Sequence, residues 1–238
     1  MTTIDDFLAG ATVDDAVFEL APDYRVLLLA IEGITPQPSD EASEALLVSA
    51  EREAARLLAE RSVQDLPHVA AWREAYRAFG AKPQRTRNSL EALLRRAKSG
   101  LPRVNRLTDT YNALSILRLV PLGGEDLDKY EGSPRLIRAD GTENFDTVAN
   151  GEDVIEHPEP GEVVWTDGGG VTCRMWNWRQ GRRTRLEETT TRALFIFDAL
   201  APIPDDELRR AADELAARLA EGQDAELRTA TRVIAPPR

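Results

Sequence analysis

The chain has 238 residues, 30 % of them charged and 42 % hydrophobic, with one cysteine and two histidines. That length can bury a sizeable core, while Cys173, His68 and His157 are too few for a disulfide, a cysteine-rich zinc site or a histidine-based metal centre. A net charge of −11, no apolar run of bilayer length and a start (MTTIDDFLAG) unlike a secretion signal lead us to expect a cytoplasmic protein without cofactor, metal, DNA or membrane contact.

Residues 1–19 are acidic and Ala-rich, which fits a short helix or a loosely held arm. Tyr24 to Ile31 is an apolar run bounded by Pro22 and Gly33, the pattern of a buried strand central in a sheet. Ser39 to about Ser62 is helical, capped by Ser39 or Asp40. A second helix runs from about Leu66 to Phe79, its stripe of Trp72, Tyr76 and Phe79 read as core. The third, Ser89 to about Ser99, takes Ser89 as its cap and carries Arg95, Arg96 and Lys98 near its C-terminal end, where the helix dipole favours cations.

The stretch from Leu101 to Leu127 organises the rest. Thr108 and Asp109 offer capping and first-turn carboxylate chemistry to a helix that runs to about Leu119 and is stopped by Pro121, Gly123 and Gly124. At 100° per residue Leu107, Tyr111, Leu114 and Leu117 share one arc, and Asn105, Thr108, Asp109, Asn112 and Ser115 gather on another. The polar arc is either a solvated face or the wall of a site.

Beyond Asp128 the pattern turns to strands. Arg135 to Ala139 alternates before the Asp140-Gly141 turn; Val154-Ile155, Glu162 to Thr166 and Val171 to Arg179 follow. In a continuous strand Cys173, Met175, Asn177 and Arg179 share one side and Arg174, Trp176 and Trp178 the other. Two Trp opposite an Asn and an Arg suit either a pocket for an aromatic or ribose-base group, or a sheet edge under a helix layer. Thr189 to Asp198 would complete the sheet, a helix spans Asp205 to about Ala220, and Thr229 to Ile234 adds a short edge strand. Helices first and strands afterwards make an α+β arrangement.

Charge is unevenly spread. Of 30 basic and 41 acidic residues, Lys82 to Arg106 holds eight basic and one acidic, and Arg174 to Arg192 six and two, leaving 16 and 38 elsewhere. Such segments either contact phosphate or are solvated surface.

The run Leu-Pro-Arg-Val-Asn-Arg-Leu-Thr-Asp-Thr-Tyr-Asn, its helix, and Val120-Pro-Leu-Gly-Gly-Glu-Asp-Leu127 resemble the B3/B4 editing domain of the β-subunit of bacterial phenylalanyl-tRNA synthetases. There, R-P-I-N-N-x-x-D-x-T-N, a helix and G-Q-P-x-H-A-F-D-L line the pocket, and Asn105, Asp109, Asn112, Pro121, Asp126 and Leu127 fall in register with it. The similarity extends from roughly Trp72 to Leu200 without the synthetase's other domains, so one free-standing domain is expected, its core about residues 66–200 with extensions at both ends.

The resemblance implies a mixed or antiparallel sheet flanked by helices, and hydrolysis, in trans, of the ester joining a wrong amino acid to the terminal adenosine of tRNA. The partner implied is the aminoacylated 3′ end of tRNA. By position, the family's Thr-Asn pair becomes Tyr111-Asn112, its pocket His becomes Gly123, and its tyrosine-reading acid becomes Phe197 beside Asp198. On that register an apolar or differently shaped amino acid is favoured over tyrosine. Asn112 and Asn177 are the candidate catalytic amides, Trp176 or Trp178 with Arg179 the candidate wall, and Arg87, Arg95, Arg96 and Arg103 the candidate phosphate contacts. The other reading, favoured by the loss of the His, is a non-catalytic module that binds an amino-acid-like ligand or the tRNA end.

Overall fold

The computed structural model describes residues 2–149, 151–223 and 225–237. In chain order the elements are α1 (Ile4–Ala9), β1 (Thr12–Val13), α2 (Asp15–Leu20), β2 (Arg25–Glu32), α3 (Glu41–Glu60), α4 (Pro67–Ala78), α5 (Ser89–Arg96), α6 (Arg106–Arg118), β3 (Leu122–Asp126), β4 (Arg135–Arg138), β5 (Phe145–Ala149), β6 (Glu152–Glu156), β7 (Val163–Asp167), β8 (Gly170–Arg174), β9 (Arg179–Gln180), β10 (Arg192–Ala199), α7 (Asp205–Ala220) and β11 (Arg228–Ile234). The fold is α+β, with a four-stranded and a two-stranded (β5-β6) sheet wholly antiparallel and a five-stranded sheet mixed. Among the described residues no helix is long and apolar enough to cross a membrane.

The first sheet has the order β11-β2-β10-β3. Its strand β2 lies between two partners and is buried on both faces, which is why its sequence is an unbroken apolar run. Leu27, Leu29 and Ile31 pack with Leu114 of α6 and Leu208, Ala211 and Leu215 of α7. Val26, Leu28 and Ala30 pack with α1, α4 and Trp165 of the second sheet, whose order is β1-β4-β7-β8-β9. Helices α3, α5 and α6 meet in a further cluster around Leu47, Leu94, Ala113 and Ile116. Strand β3 is the edge of the first sheet, and the site opens beside it.

Several local expectations are corrected. Residues 1–19 are not a loose arm: Ile4, Phe7, Leu8 and Val17 of two short helices are core residues. Asn88, not Ser89, caps α5 by accepting from the Glu91 N–H at 2.9 Å. Asn105, not Thr108, caps α6 by accepting from the Thr108 N–H at 2.8 Å, and Asp109 stands in the first turn as expected. Asp109 is fully buried, and its carboxylate accepts from the Val104 N–H (2.8 Å) and the Ser39 hydroxyl (2.5 Å), tying two loops to the helix. Ser115, also buried, donates to the Val120 carbonyl at 2.6 Å, closing the helix end where Leu119 adopts a left-handed conformation. The polar arc of α6 is therefore not a solvated face.

Two strands are invisible to composition. Strand β3 carries two glycines behind a proline, and β5 has two polar residues among five, so neither has a strong strand signal. Gly124 of β3 is required by packing: a Cβ there would come within 2.9 Å of Leu186, 3.0 Å of Phe195 and 3.1 Å of Tyr111.

Candidate functional site

The two sheets face one another across a cavity of about 280 Å³. On the first sheet, strand register puts Gly123 opposite Ile196 and Glu125 opposite Leu194, so Gly123, Glu125, Ile196 and Asp198 share one face. The second sheet contributes a cross-strand row, Trp165–Cys173–Gln180. Ser89, Ala92 and Leu93 of α5, Tyr111 and Asn112 of α6, and the turn Trp176-Asn177-Trp178 complete the wall. A hollow of about 310 Å³ lies at the N-terminal end of α6 beneath Thr35–Pro38. Its buried charged side chain, Arg106, is already engaged by Gln37 (2.7 Å) and Asp40 (3.2 Å), so it offers no free chemistry.

The floor of the cavity is a hydrogen-bonded chain. Tyr76 donates its hydroxyl to Asn177 Oδ1 (3.0 Å), Asn177 Nδ2 donates to Asp198 Oδ2 (3.1 Å), and Tyr24 donates to Asp198 Oδ1 (2.6 Å). Burial pushes the Asp198 carboxyl up to about 7, although the Tyr24 and Asn177 donors pull it the other way. Burial likewise raises Glu125 to about 7 against the hydroxyl that Tyr130 donates to it. Two carboxyls poised near neutrality on one cavity wall are suited to holding or moving a proton. Cys173, on the opposite wall, has its thiol pushed well up by burial and is no nucleophile. Among the described residues no cluster of metal-binding side chains occurs.

Of the residues nominated from sequence, Asn112, Asn177, Tyr111, Gly123, Trp176, Trp178 and Asp198 line this cavity. Phe197 does not. In β10 side chains alternate, so Phe197 packs toward α6 and α7 while Asp198 turns to the cavity. The register that put Phe197 on the wall is thus off by one residue, and the reason to expect a purely apolar ligand falls away. Arg179 is also off the wall: it donates to the Val148 carbonyl at 3.2 Å and stacks over Phe145 and Trp178.

The continuous strand expected to Arg179 breaks at Arg174. Met175 and Trp176 both have positive φ (47° and 66°), a conformation non-glycine residues rarely adopt, and the chain reverses into β9. Because of this turn, Trp176 and Asn177 both enter the cavity, which strand alternation forbids. The turn is clamped: Glu162 accepts from the Met175 N–H (3.0 Å) and, bidentately, from Arg174 (2.9 and 2.7 Å), and Ser89 N–H donates to the Asn177 carbonyl at 3.0 Å.

The four arginines nominated for phosphate differ. Arg103 is neutralised by Glu44 (2.7 Å) and Glu51 (2.6 Å). Arg87 and Arg95 are drawn with Arg73 onto the fully buried Glu91. Arg96 is exposed and, among the described residues, forms no ion pair. Sequence reasoning missed Glu125, Tyr24, Tyr76 and Trp165. A signal existed for Glu125, which stands two residues from Gly123 and so shares its face of a strand; the tyrosines gave none.

Two measurements test this geometry. A Cβ at Gly123 would meet nothing within 4 Å, so Gly123→His should change stability by no more than about 0.5 kcal/mol, whereas Gly124→Ala should cost roughly 1–3 kcal/mol by overpacking. Equal urea midpoints for the two variants would show the edge strand to be placed otherwise. The second concerns pH. Asp198 and Glu125, raised to about 7 in the fold, favour folding below their unfolded values near 4 and lose that contribution as pH rises through 7. His68, buried and lowered to about 4, donates from Nδ1 to the Leu119 carbonyl and contributes oppositely, losing stability as pH falls from about 6.5. Two groups outweigh one, so the melting temperature should fall between pH 5 and pH 7, and Asp198→Asn should flatten that slope. A melting temperature that climbs over the interval would remove the raised carboxyls.

The family described as the B3/4 domain matches residues 71–229. A structure of an N-terminal fragment of the phenylalanyl-tRNA synthetase beta-subunit from Pyrococcus horikoshii is similar, at 13% identity and a TM-score of 0.45. The similarity covers 91% of this chain and 49% of that one, so the chain spans about half the fragment's length. No curated protein matches the chain.

Proposed function

The chain belongs to the B3/4 domain family, and from that premise we propose that it deacylates mischarged aminoacyl-tRNA in trans, hydrolysing the ester at the tRNA 3′ end. The single observation that carries the reading is the cavity in which Glu125, Asp198, Asn112 and Asn177 converge among aromatic walls. An aminoacyl ester is an activated substrate, so a positioned water, a base and an oxyanion donor suffice.

In this reading Glu125 is the base. Its carboxylate takes a proton from the water whose oxygen attacks the ester carbonyl carbon, and the Asn112 amide donates to the oxygen that becomes negative. Collapse of the tetrahedral species breaks the bond to the ribose oxygen, which takes the proton back from Glu125. The products are the free amino acid and the tRNA 3′ hydroxyl. A base with a pKa near 7 matches the working pH. Asn177 holds Asp198 in place, with its own amide engaged by Tyr76 and Asp198. Asp198, held from behind by the Tyr24 hydroxyl, then meets the distal end of the amino-acid side chain, a polar floor that suits a hydroxyl better than a methyl. The buried Trp165 indole N–H, without a partner among the described residues, is a further donor on the wall.

The test is to incubate the purified chain with tRNAs bearing each amino acid. Release of one or a few amino acids above the buffer rate supports the proposal; no release from any species sinks it. Asn112→Ala should slow release about 10²-fold without altering the melting temperature. A second reading, a binding module without hydrolysis, is favoured by one observation: Gly123 stands where the family carries a pocket His. In that case aminoacyl-tRNA binds and is released intact.

A further inference from the structure

We propose that Trp178 is a stacking platform for the base of the terminal nucleotide of a single-stranded RNA end, and that Arg96 meets the phosphodiester behind it. This rests on the deacylase reading and names where its ligand leaves the cavity.

Trp72, Trp165 and Trp176 are at most 1% exposed, whereas Trp178, on the rim of the same cavity, is 36% exposed. An exposed tryptophan is ordinarily mobile, but this one is held. Its backbone N–H donates to the Arg174 carbonyl at 3.1 Å, fixing the residue in the turn, and the Arg179 guanidinium, tied to the Val148 carbonyl, sits 5.9 Å from its ring centre. The strained Met175-Trp176 turn is what aims it outward. A fixed, half-exposed ring beside a cavity can stack a planar group with little further ordering.

What that group belongs to is indicated by charge. Ser89, whose N–H meets the Asn177 carbonyl, begins α5, and at 100° per residue Ser89, Leu93 and Arg96 share an arc of that helix. Seven residues at 1.5 Å carry Arg96 about 10 Å along the helix from Ser89, on the arc whose Ser89 and Leu93 line the cavity. Arg87, Arg95 and Arg103 are tied to carboxylates, so Arg96 is the cation left for an incoming anion among those nominated. With a net charge of −11 over the chain, contact with a polyanion is confined to such a point. A purely apolar peptide could cover Trp178 but would not need Arg96.

Because the other three tryptophans are buried, acrylamide quenching of the intrinsic emission reads Trp178 alone. The oligoribonucleotide ACCA should protect that emission saturably, and ACC, lacking the terminal adenosine, should not. By anisotropy of 5′-labelled ACCA, Trp178→Ala should weaken binding about 5- to 100-fold and Trp178→Phe much less. Arg96→Gln should weaken binding and reduce the salt slope of the logarithm of affinity by about 0.7. Equal ACCA affinity for wild type and Trp178→Ala overturns the platform, as does equal protection by ACC; binding indifferent to salt points to an apolar partner and overturns it too. Deacylation that persists in Trp178→Ala with unchanged ACCA affinity removes this inference alone, while ACCA protection without any deacylation leaves the platform standing and removes the hydrolase.

Discussion

Glu125→Gln should lower the rate of aminoacyl-tRNA deacylation by about 10²–10³-fold while leaving the protein folded. The carboxyl is 2% exposed and raised to about 7, so near neutrality it spends part of its time protonated, and the amide is close to that form in shape and charge. The Tyr130 hydroxyl can still donate to the amide oxygen, so little packing is lost. In the wild type kcat/KM should rise with pH through about 7 as the base ionises; in Glu125→Gln that limb should be gone. A variant that keeps its rate and its pH limb would remove Glu125 as the base and turn attention to Asp198. One that loses activity in parallel with melting temperature would make Glu125 structural.

Glu162→Ala should be the more damaging change to the fold. Glu162 is 3% exposed and accepts two of the three guanidinium hydrogen bonds of Arg174, itself 9% exposed, together with the Met175 N–H. Removing it leaves a buried cation whose remaining partner, Glu156, stands at the surface at 3.1 Å. Breaking one side of such a pair costs roughly 3–5 kcal/mol, a drop in melting temperature on the order of 10 °C at this size. Loss of the clamp also releases the left-handed turn, so Trp176, Asn177 and Trp178 should lose their placement and ligand binding should fall further than stability alone explains. Glu156→Gln is the control: a half-exposed partner of Arg174, it should cost no more than about 1 kcal/mol. If Glu162→Ala melts within a degree or two of wild type, the turn is held by something other than this ion pair.

The two predictions bear on different links. Glu125 acts at the cavity wall, whereas Glu162 acts on the backbone that delivers three other wall residues. A double variant should lose stability like Glu162→Ala, and its two activity losses should add on the free-energy scale, since the residues share no partner.

Much of this was determined by the sequence alone. The α+β class, the doubly buried strand from Arg25 to Glu32, the long helices and the glycine-limited exit of α6 follow from hydrophobic period and from which residues can end a helix. The resemblance nominated Asn112 and Gly123 for one pocket, and both line the cavity between the sheets. What the tertiary structure decided lies where one residue changes direction. A one-residue slip along β10 exchanges Phe197 for Asp198, since strand side chains alternate, and only pairing with β2 and β3 settles which faces the cavity. The left-handed pair Met175-Trp176 has no signal in composition, because its strain is held by Glu162, distant in sequence at the entry to β7. The near-neutral carboxyls are likewise products of burial, which no sequence window contains: Glu125 and Asp198 become chemically useful only when two sheets close over them.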